Sequence, residues 1–337
     1  MNYSVKYTEM RTIGKGSFGH AFLVKDNLTK NQYISKKIEI TGMSSEDIKK
    51  VEQEVILMQR FSHPHIVKYI ETFTTDTYII IIMEYCAGGD LAQLVSYHKS
   101  ISTPFPEVAL LEWLGQLSSA LSHIHSLKII HRDIKPSNVF MTADGKLKLG
   151  DFGVSKALDH TNDVAVTQIG TPLYMSPEVC NNMPYTNKSD IWALGCVLYE
   201  MASFERAFTA NSLVALAMQI IESEPIPIPK IYSAKLSMII DKMLLKNPAR
   251  RPTALELQEN TGFIPSYDSK NASSFIDEFR DEQEFGLMSG IDYTLGFETS
   301  VSLKIGNLSA SYANEAYEDD FESDDSESER YEEDFDA

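Results

Sequence analysis

Two short runs of residues, 131–138 and 151–153, contain the side chains with the clearest capacity for chemistry. They read His-Arg-Asp-Ile-Lys-Pro-Ser-Asn and Asp-Phe-Gly, and they place two carboxylates, an amide and a lysine close together in the chain. Such a set suits phosphoryl transfer, because positioning and neutralisation of charge provide most of the catalysis in that reaction. The spacing therefore predicts a phosphoryl-transfer site rather than two polar surface loops.

Each of these side chains suits one task in phosphoryl transfer. Asp133 would accept the proton of an attacking hydroxyl group. Asn138 and Asp151 would bind magnesium, a hard cation that prefers oxygen ligands. Lys135 follows Asp133 by two residues and can reach a γ-phosphate from there.

The two runs together match H-R-D-x-x-x-x-N followed by D-F-G, which is a long and specific signature. At these residues the chain resembles the eukaryotic protein kinases, and its Lys135-Pro136 is similar to the serine/threonine branch rather than the tyrosine branch. The resemblance implies an α+β, bilobal protein kinase fold, with an antiparallel sheet and one helix in a small N-lobe and a larger helical C-lobe. It also implies ATP and Mg²⁺ as cofactors, and proteins with Ser or Thr hydroxyls as substrates.

A glycine-rich stretch near the N-terminus predicts a loop that closes over phosphates, because glycine lets the backbone turn sharply and approach oxygens closely. The stretch comprises Ile13, Gly14, Lys15, Gly16, Ser17, Phe18, Gly19, His20 and Ala21. G-x-G-x-x-G alone is a weak signal, since dinucleotide-binding folds also use it. Here a strand-like segment follows instead of a helix, which favours a β-hairpin over ATP. The kinase pattern often has valine where Ala21 stands, so the apolar contact to adenine would be smaller.

Lys36 and Glu54 are predicted to form an ion pair beside the phosphates. The alternation of residues 32–40 predicts a strand with Lys36 on its inward face. A buried charge needs a partner, because leaving it unpaired is costly. The kinase resemblance assigns the α- and β-phosphates to Lys36, and it makes Glu54, on a helix predicted over 44–60, the partner.

Two neighbouring residues are the alternatives to this pair. Lys37 falls on the opposite face of the strand and is predicted to be solvated. Glu52 lies about 200° from Glu54 on a helical wheel and is therefore predicted to point outward.

The apolar strand predicted over 78–83 leads into a glycine-containing turn that resembles the kinase hinge. By that resemblance the Glu84 carbonyl and the Cys86 amide would bond the adenine edge, and Met83 would lie at the back of the pocket. The glycine pair that follows suits a linker that bends without strain.

The residues after Asp-Phe-Gly resemble the activation segment of protein kinases. Thr167 is the candidate activating phosphosite, because Arg132 beside the catalytic aspartate could neutralise a phosphate there. The alternative is that Thr167 is an ordinary loop threonine. Thr171 matches the family threonine that braces Asp133.

Two further acids are expected to hold the C-lobe together. By resemblance, Glu178 would form a buried ion pair with Arg251. Asp190, at the start of an apolar helix, would form hydrogen bonds with the backbone near the catalytic loop, residues 131–138.

The kinase resemblance covers residues 7–264, with the N-lobe at about 7–83, the hinge at 84–89 and the C-lobe at 90–264. Residues 265–337 do not continue it. Glycine, serine and acids dominate the later part of this tail, so its composition predicts that it is largely disordered.

The end of the tail is strongly acidic and contains an internal repeat. Thirteen of the 23 residues from 315 to 337 are acidic and one is basic, so this segment carries 12 of the 18 net negative charges. Tyr-Glu-Asp-Asp-Phe-Glu at 317–322 recurs as Tyr-Glu-Glu-Asp-Phe-Asp at 331–336. Aromatic residues embedded in acids predict a docking motif for a basic partner; a merely solubilising tail is the alternative.

Composition excludes several classes of function. A pI near 4.9 argues against nucleic acid as a partner. Three cysteines without metal-ligand spacing favour a reducing compartment. The N-terminal residues show no signal-peptide pattern, and the longest strongly apolar run, 78–83, is far too short to span a bilayer. We therefore expect a cytoplasmic protein without membrane insertion.

Softer signals are similar to the NIMA-related (Nek) kinases. They are Gln32-Tyr33, Met43-Ser44-Ser45, the hinge sequence from Glu84 to Leu91, and Gly170-Thr171-Pro172-Leu173-Tyr174. This resemblance implies a role in the cell cycle, microtubules or cilia, and a location near the cytoskeleton or cilium.

Two rival functions are a pseudokinase scaffold that binds nucleotide and recruits partners through the tail, and a kinase of small molecules. The complete set of catalytic residues argues against the first. The activation segment, which ends at Ser176-Pro177-Glu178 and forms a peptide platform in the family, argues against the second.

Overall fold

The N-lobe is built on an antiparallel sheet of five strands. The computed structural model describes residues 2–16, 19–151 and 172–261. The strands are β1 (Tyr7–Gly16), β2 (Gly19–Asp26), β3 (Gln32–Glu39), β4 (Tyr69–Thr74) and β5 (Tyr78–Glu84), in the spatial order β1-β2-β3-β5-β4. A short helix, α1 (Tyr3–Lys6), precedes β1. The strands predicted over 32–40 and 78–83 are confirmed within one residue at their ends.

The helix predicted over 44–60 is also confirmed, as α2 (Ser45–Gln59). Ser44 caps it: its hydroxyl accepts a hydrogen bond from the Asp47 amide at 3.1 Å, and acids occupy the first turn, where they complement the helix dipole. One face of the helix packs in the same core as the sheet. The buried residues there include Val51, Val55 and Met58 of the helix and Ile38, Ile79 and Ile81 of the sheet.

The opposite face of the sheet carries a second, aromatic cluster, and it corrects one prediction. Lys37 is not solvated: its Nζ lies 2.6 Å from Glu9 Oε1, and its side chain is only 21% exposed. The ammonium also lies over the rings of Tyr3 and Phe22, 5.3 and 4.9 Å from their centroids. The alternation placed Lys37 on the correct face, but it could not show that α1 and aromatic side chains cover that face.

The C-lobe is mainly helical. Its helices are α3 (Leu91–Ser100), α4 (Glu107–Ser126), α5 (Pro177–Cys180), α6 (Asn187–Ser203), α7 (Leu213–Glu222), α8 (Ala234–Met243) and α9 (Ala254–Thr261). The strands β6 (Val139–Met141) and β7 (Leu147–Leu149) form a small antiparallel sheet. In the described ranges, no helix is both long enough and apolar enough to cross a membrane. The acidic tail, 265–337, lies outside the described residues.

The connection between α2 and β4 ties the two lobes together. Val67 donates its N–H to the Leu149 carbonyl, and the Leu149 N–H bonds the His65 carbonyl, both at 2.9 Å. The N-lobe connection thus pairs with β7 of the C-lobe. Because β7 ends two residues before Asp151, this pairing sets where that carboxylate enters the cleft.

Candidate active site

The loop after α4 brings together three side chains that the sequence predicted to act together. Asn138 Nδ2 donates to both the backbone carbonyl and the Oδ2 of Asp133, each at 2.8 Å. Lys135 Nζ lies 3.3 Å from the same Oδ2. A short 3-10 turn, Pro136–Asn138, holds this arrangement, since it curls the chain so that Asn138 faces back toward Asp133. The Asp133 carboxylate, the Lys135 ammonium and the Asn138 amide thus lie close together around one turn of the chain.

The catalytic loop (131–138) has a strained backbone conformation at one residue, and a buried carboxylate stabilises that conformation. Arg132 has a φ of +66°, in the left-handed region that costs a non-glycine residue about 1–3 kcal/mol. Asp190, fully buried at the start of α6, accepts hydrogen bonds from the amides of His131 and Arg132 at 2.9 and 3.0 Å. The predicted contact of Asp190 with the backbone of this loop is confirmed.

The predicted pairing of Lys36 with Glu54 stays a prediction. In the structure the Nζ of Lys36 contacts Oδ1 of Asp151, the proposed metal ligand. Asp151 reaches it because β7 is bonded to the N-lobe connection, which directs the residues after β7 into the cleft opposite β3. A sequence shows that a buried lysine needs an acid, but not which of two candidates lies nearer. Glu54 is half-buried on α2 and Glu52 is exposed, as predicted.

The contact with Lys36 keeps Asp151 charged. Desolvation in the cleft favours the neutral form of this carboxyl, although its side chain is 43% exposed, but the charge and hydrogen bond of Lys36 outweigh it and hold the pKa of Asp151 below its usual value. Asp151 is therefore an anion at neutral pH, which a cation-binding oxygen ligand must be.

The glycine-rich stretch forms the predicted β-hairpin. Gly16 pairs with Gly19 across β1 and β2, and Ser17 and Phe18 between them lie outside the described residues. A Cβ on Gly19 would lie 1.7 Å from the Lys37 carbonyl oxygen, so glycine is required where β2 approaches β3. A Cβ on Gly14 would meet nothing within 4 Å. The hairpin thus has open space beside it at Gly14.

The remaining residues of the stretch also lie on this hairpin. Lys15 pairs with His20 and Gly14 with Ala21. Ala21 in turn pairs with Lys36 on β3, so the hairpin and the lysine are adjacent in one sheet. Ile13 is half-buried, like Ala21. These positions suit an apolar contact on one side of a nucleotide.

Residues 85–90 connect β5 to α3, and the hinge predicted at 84–89 begins at Glu84, the last residue of β5. The Glu84 carboxylate accepts hydrogen bonds from Lys148 Nζ at 2.9 Å and from the Lys68 amide at 3.1 Å. Lys148 was not predicted as part of this connection: the alternation of β7 places it on the polar face, but nothing in the sequence indicates its partner. Cys86 is buried, and burial raises the pKa of its thiol to about 12, which favours the protonated form at neutral pH.

Met83 lies at the back of the cleft, as predicted. It lines a small cavity with Met58, Phe61, Val67 and Tyr69, next to Gly150 and Asp151. The floor of the cleft behind the carboxylate is therefore apolar.

The predicted ion pair that closes the C-lobe is confirmed. Arg251 donates from Nη1 and Nη2 to the two carboxylate oxygens of Glu178, at 2.8 and 2.7 Å. Both side chains are buried, at 0% and 4% exposure. Burial favours the neutral form of Glu178, but Arg251 and Ser189 hold the pKa of the carboxyl below its usual value.

Some predicted residues cannot be placed. Phe152, Gly153, Thr167 and Thr171 lie outside the described residues, so their roles stay predictions.

The donor set in the cleft fits a magnesium-bound nucleotide. Asp151 and Asn138 offer the carboxylate and amide oxygens that Mg²⁺ prefers. Lys36 supplies an ammonium group on the neighbouring strand.

Comparison with known families agrees with this geometry. The family model described as "Protein kinase domain" matches residues 7–263, which is most of the chain. The chain therefore belongs to the protein kinase family, whose members generally use ATP and Mg²⁺.

Curated relatives narrow the assignment. The chain is 41% identical over 282 residues to the serine/threonine-protein kinase Nek1 of Mus musculus, 42% over 251 residues to Nek3 of Mus musculus, and 39% over 266 residues to Nek5 of Homo sapiens. These matches cover 84%, 74% and 78% of this chain but only 23%, 48% and 37% of the relatives. Within the protein kinase family, the chain is thus a NIMA-related (Nek) member, and it spans less than half of the length of these relatives.

Proposed function

We propose that this chain is a protein serine/threonine kinase that transfers the γ-phosphoryl group of ATP to Ser or Thr hydroxyls of proteins. The observation that carries the proposal is the cluster of Asp133, Lys135 and Asn138 within one turn of the catalytic loop. The charges of Asp133 and Lys135 both act on the Asp151 carboxyl, so the cluster lies close to the Lys36–Asp151 pair, which supports the proposal.

Each residue has a distinct task in this proposal. Asp133 orients the acceptor hydroxyl and takes its proton in the transition state. Lys135, 3.3 Å from that carboxylate, offsets negative charge on the transferred group. Asn138 fixes the Asp133 side chain through its amide nitrogen, which leaves the amide oxygen as the atom that can bind a cation.

Magnesium, when bound, would neutralise charge on the phosphates. Asp151 and Asn138 are the residues that would hold it. Lys36 would bind the α- and β-phosphates, and we propose Glu54 as the carboxylate that pairs with Lys36 once Asp151 engages a cation.

The hinge and the hairpin would bind the rest of the nucleotide. We propose that the Glu84 carbonyl and Cys86 amide bond the adenine edge. The hairpin residues 13–21 would cover the phosphates and the ring. In domain terms, the kinase domain would occupy 7–264, with lobes at 7–83 and 90–264 around the hinge at 84–89.

Regulation and partners complete the proposal. Thr167 would be the activating phosphosite. Arg132, whose side chain is exposed beside Asp133, would neutralise the phosphate on it. Thr171 would brace Asp133. Substrates would be proteins with Ser or Thr acceptors, and the acidic tail would dock a basic partner. The relatedness to Nek kinases supports a cytoplasmic role near the cytoskeleton or cilium.

The test is the identity of the phosphorylated product. The full chain is incubated with Mg-ATP and a mixture of acceptor peptides that carry Ser, Thr or Tyr, and phosphosites are mapped by mass spectrometry. We expect phosphate on Ser and Thr peptides, and on Thr167 of the chain itself. Transfer to Tyr peptides alone, or none after treatment with an upstream kinase, would refute the proposed function; transfer with Thr167 unmodified would refute only the switch.

A further inference from the structure

The carboxylate that supports the catalytic loop is itself held by two side chains. Asp190 is 0% exposed, and each of its oxygens accepts one backbone and one side-chain hydrogen bond. Oδ2 is bonded by the His131 amide at 2.9 Å and by His125 Nε2 at 2.8 Å. Oδ1 is bonded by the Arg132 amide at 3.0 Å and by the Tyr185 hydroxyl at 3.0 Å.

This arrangement makes Tyr185 one of the groups that fix the Asp190 carboxylate. A carboxylate offers about four acceptor sites, and here all four are used. A lost donor on Oδ1 would leave a buried charge partly unsatisfied. The carboxylate could then turn toward His125, away from the Arg132 amide.

Of these four hydrogen bonds, the one from the Arg132 amide to Asp190 matters most for the proposed chemistry. Arg132 has the unfavourable φ of +66° and immediately precedes Asp133. A relaxation of this residue would move the Asp133 side chain directly. Two hydrogen bonds, from Tyr185 to Asp190 and from the Arg132 amide to Asp190, therefore connect Tyr185 to the residue that precedes Asp133.

The Tyr185 hydroxyl is suited to act as a permanent hydrogen-bond donor to Asp190. Burial, together with the charge of Asp190, raises the pKa of Tyr185 well above its ordinary value, so the hydroxyl keeps its proton at any working pH. Tyr185 stands between α5 and α6, just before the Thr186 cap of α6. It thereby links the segment that follows the activation segment to the catalytic loop.

We propose that Tyr185 is a positioning residue for catalysis, which holds the Asp190 carboxylate in the rotamer that stabilises the strained loop at Arg132. The proposal rests on the proposed kinase function for its effect on turnover. Its structural part, the support of the Arg132 amide, does not depend on activity.

The test compares Tyr185→Phe with a matched variant, Tyr232→Phe. The Tyr232 hydroxyl is also buried in the C-lobe, but it donates to the Phe105 carbonyl at 2.9 Å, away from the catalytic loop. For Y185F we expect kcat to fall roughly tenfold, the effect of one lost hydrogen bond to a charged group. KM for ATP should stay unchanged, and the melting temperature should match that of Y232F. Y232F should keep the wild-type kcat.

Hydrogen exchange of the full chain provides a second readout that is independent of turnover. We expect the amide of Arg132 to exchange faster in Y185F than in the wild type or Y232F. An unchanged Arg132 amide would overturn the proposal, and so would equal losses of kcat in Y185F and Y232F. If the wild type shows no transfer, the proposed function fails, and the exchange rate alone decides whether Tyr185 supports the loop.

Discussion

The Glu178–Arg251 pair shows how single residues constrain the C-lobe. Arg251 is fully buried, donates to both carboxylate oxygens, and also bonds the carbonyls of Leu245, Lys188 and Lys246. Its guanidinium lies 5.0 Å from the centroid of the Trp192 ring. A buried pair with every donor used is costly to break, because removal of one partner leaves the other charge without compensation.

We predict that Arg251→Met destabilises the chain by about 3–5 kcal/mol, the range for a buried ion pair that loses one partner. The measurement is urea unfolding of the full chain. The control is Lys99→Met, which removes an exposed pair with Glu205, 51% and 70% exposed, and should cost less than about 1 kcal/mol. Equal effects of the two variants would contradict the prediction.

Residue identities in the site could be predicted from sequence, but some of their partners could not. Asp133, Lys135 and Asn138 lie within one turn, so their spacing in the chain already set their contacts. Lys36 and Asp151 are more than a hundred residues apart. Which acid reaches Lys36 depends on how β7 pairs with the N-lobe, and no local pattern encodes that pairing.

At the scale of elements, the glycine hairpin is held to β3 by close backbone contact. β2 pairs with β3 from Gly19 to Lys25 without irregularity, and the Gly19 backbone packs against the Lys37 carbonyl. The β2 side of the hairpin therefore has little freedom as far as Gly19, next to the turn.

We predict that Gly19→Ala separates β2 from β3 locally, since the new Cβ would lie 1.7 Å from the Lys37 oxygen. The variant should melt at a lower temperature and bind Mg-ATP at least several-fold more weakly. Gly14→Ala is the matched variant, because its Cβ meets no atom within 4 Å; it should melt close to the wild type. Wild-type stability of Gly19→Ala would show that the strand pairing is wrong.

A second element-scale feature is the packing of histidines between the α2–β4 connection and α4. His63 Nε2 lies 3.1 Å from Ser119 Oγ, and its ring stacks on His123 with centroids 5.3 Å apart. Burial, and then the neighbouring His65 and His123, lower the pKa of His63 to about 4. The folded chain therefore holds this ring neutral well below its ordinary pKa.

We predict that the free energy of unfolding falls as the pH drops from about 6.5 to about 4, because His63 is protonated in the unfolded state but stays neutral in the folded state over this range. Above pH 6.5 the ring is neutral in both states and contributes nothing to the pH dependence. Urea unfolding at several pH values should give a shallower slope for His63→Gln than for the wild type. Parallel slopes would contradict the assignment.

Elements with strong periodicity could be read from the sequence, and short ones could not. The helix predicted over 44–60 is observed at Ser45–Gln59, within one residue at each end. The four-residue α1 has too few positions for a periodic pattern, so it was not predicted. Without α1, Lys37 was wrongly predicted to be solvated. Tertiary packing, not local propensity, makes that segment helical.

At the scale of the whole molecule, charge is divided unevenly. Residues 315–337 carry 12 of the 18 net negative charges, so the preceding part of the chain is only mildly acidic. The connections between the two lobes include the hinge, the pairing of β7 with the α2–β4 connection, and the Glu84–Lys148 contact. The sequence predicted the hinge but not the other two connections, because both join residues far apart in the chain.

We predict that the aromatic residues of the acidic repeat, and not only its charge, bind a basic partner. The variant replaces Tyr317, Phe321, Tyr331 and Phe335 with Ser and so keeps every acid. Its affinity for lysine- and arginine-rich peptides should fall at least fivefold in a titration at about 0.15 M salt, where unspecific charge attraction is screened. Equal affinities would identify the tail as a purely electrostatic or solubilising segment.

Asp133 is proposed to support phosphoryl transfer in this cleft, and the initial rate of transfer from Mg-ATP to a Ser/Thr peptide by the full chain and by Asp133→Asn tests this role. We predict turnover of roughly 1–100 per second for the activated wild type and a loss of at least about 100-fold in the variant, with Mg-ATP binding retained. Equal rates, or no transfer by a wild type that binds Mg-ATP, would contradict the role of Asp133.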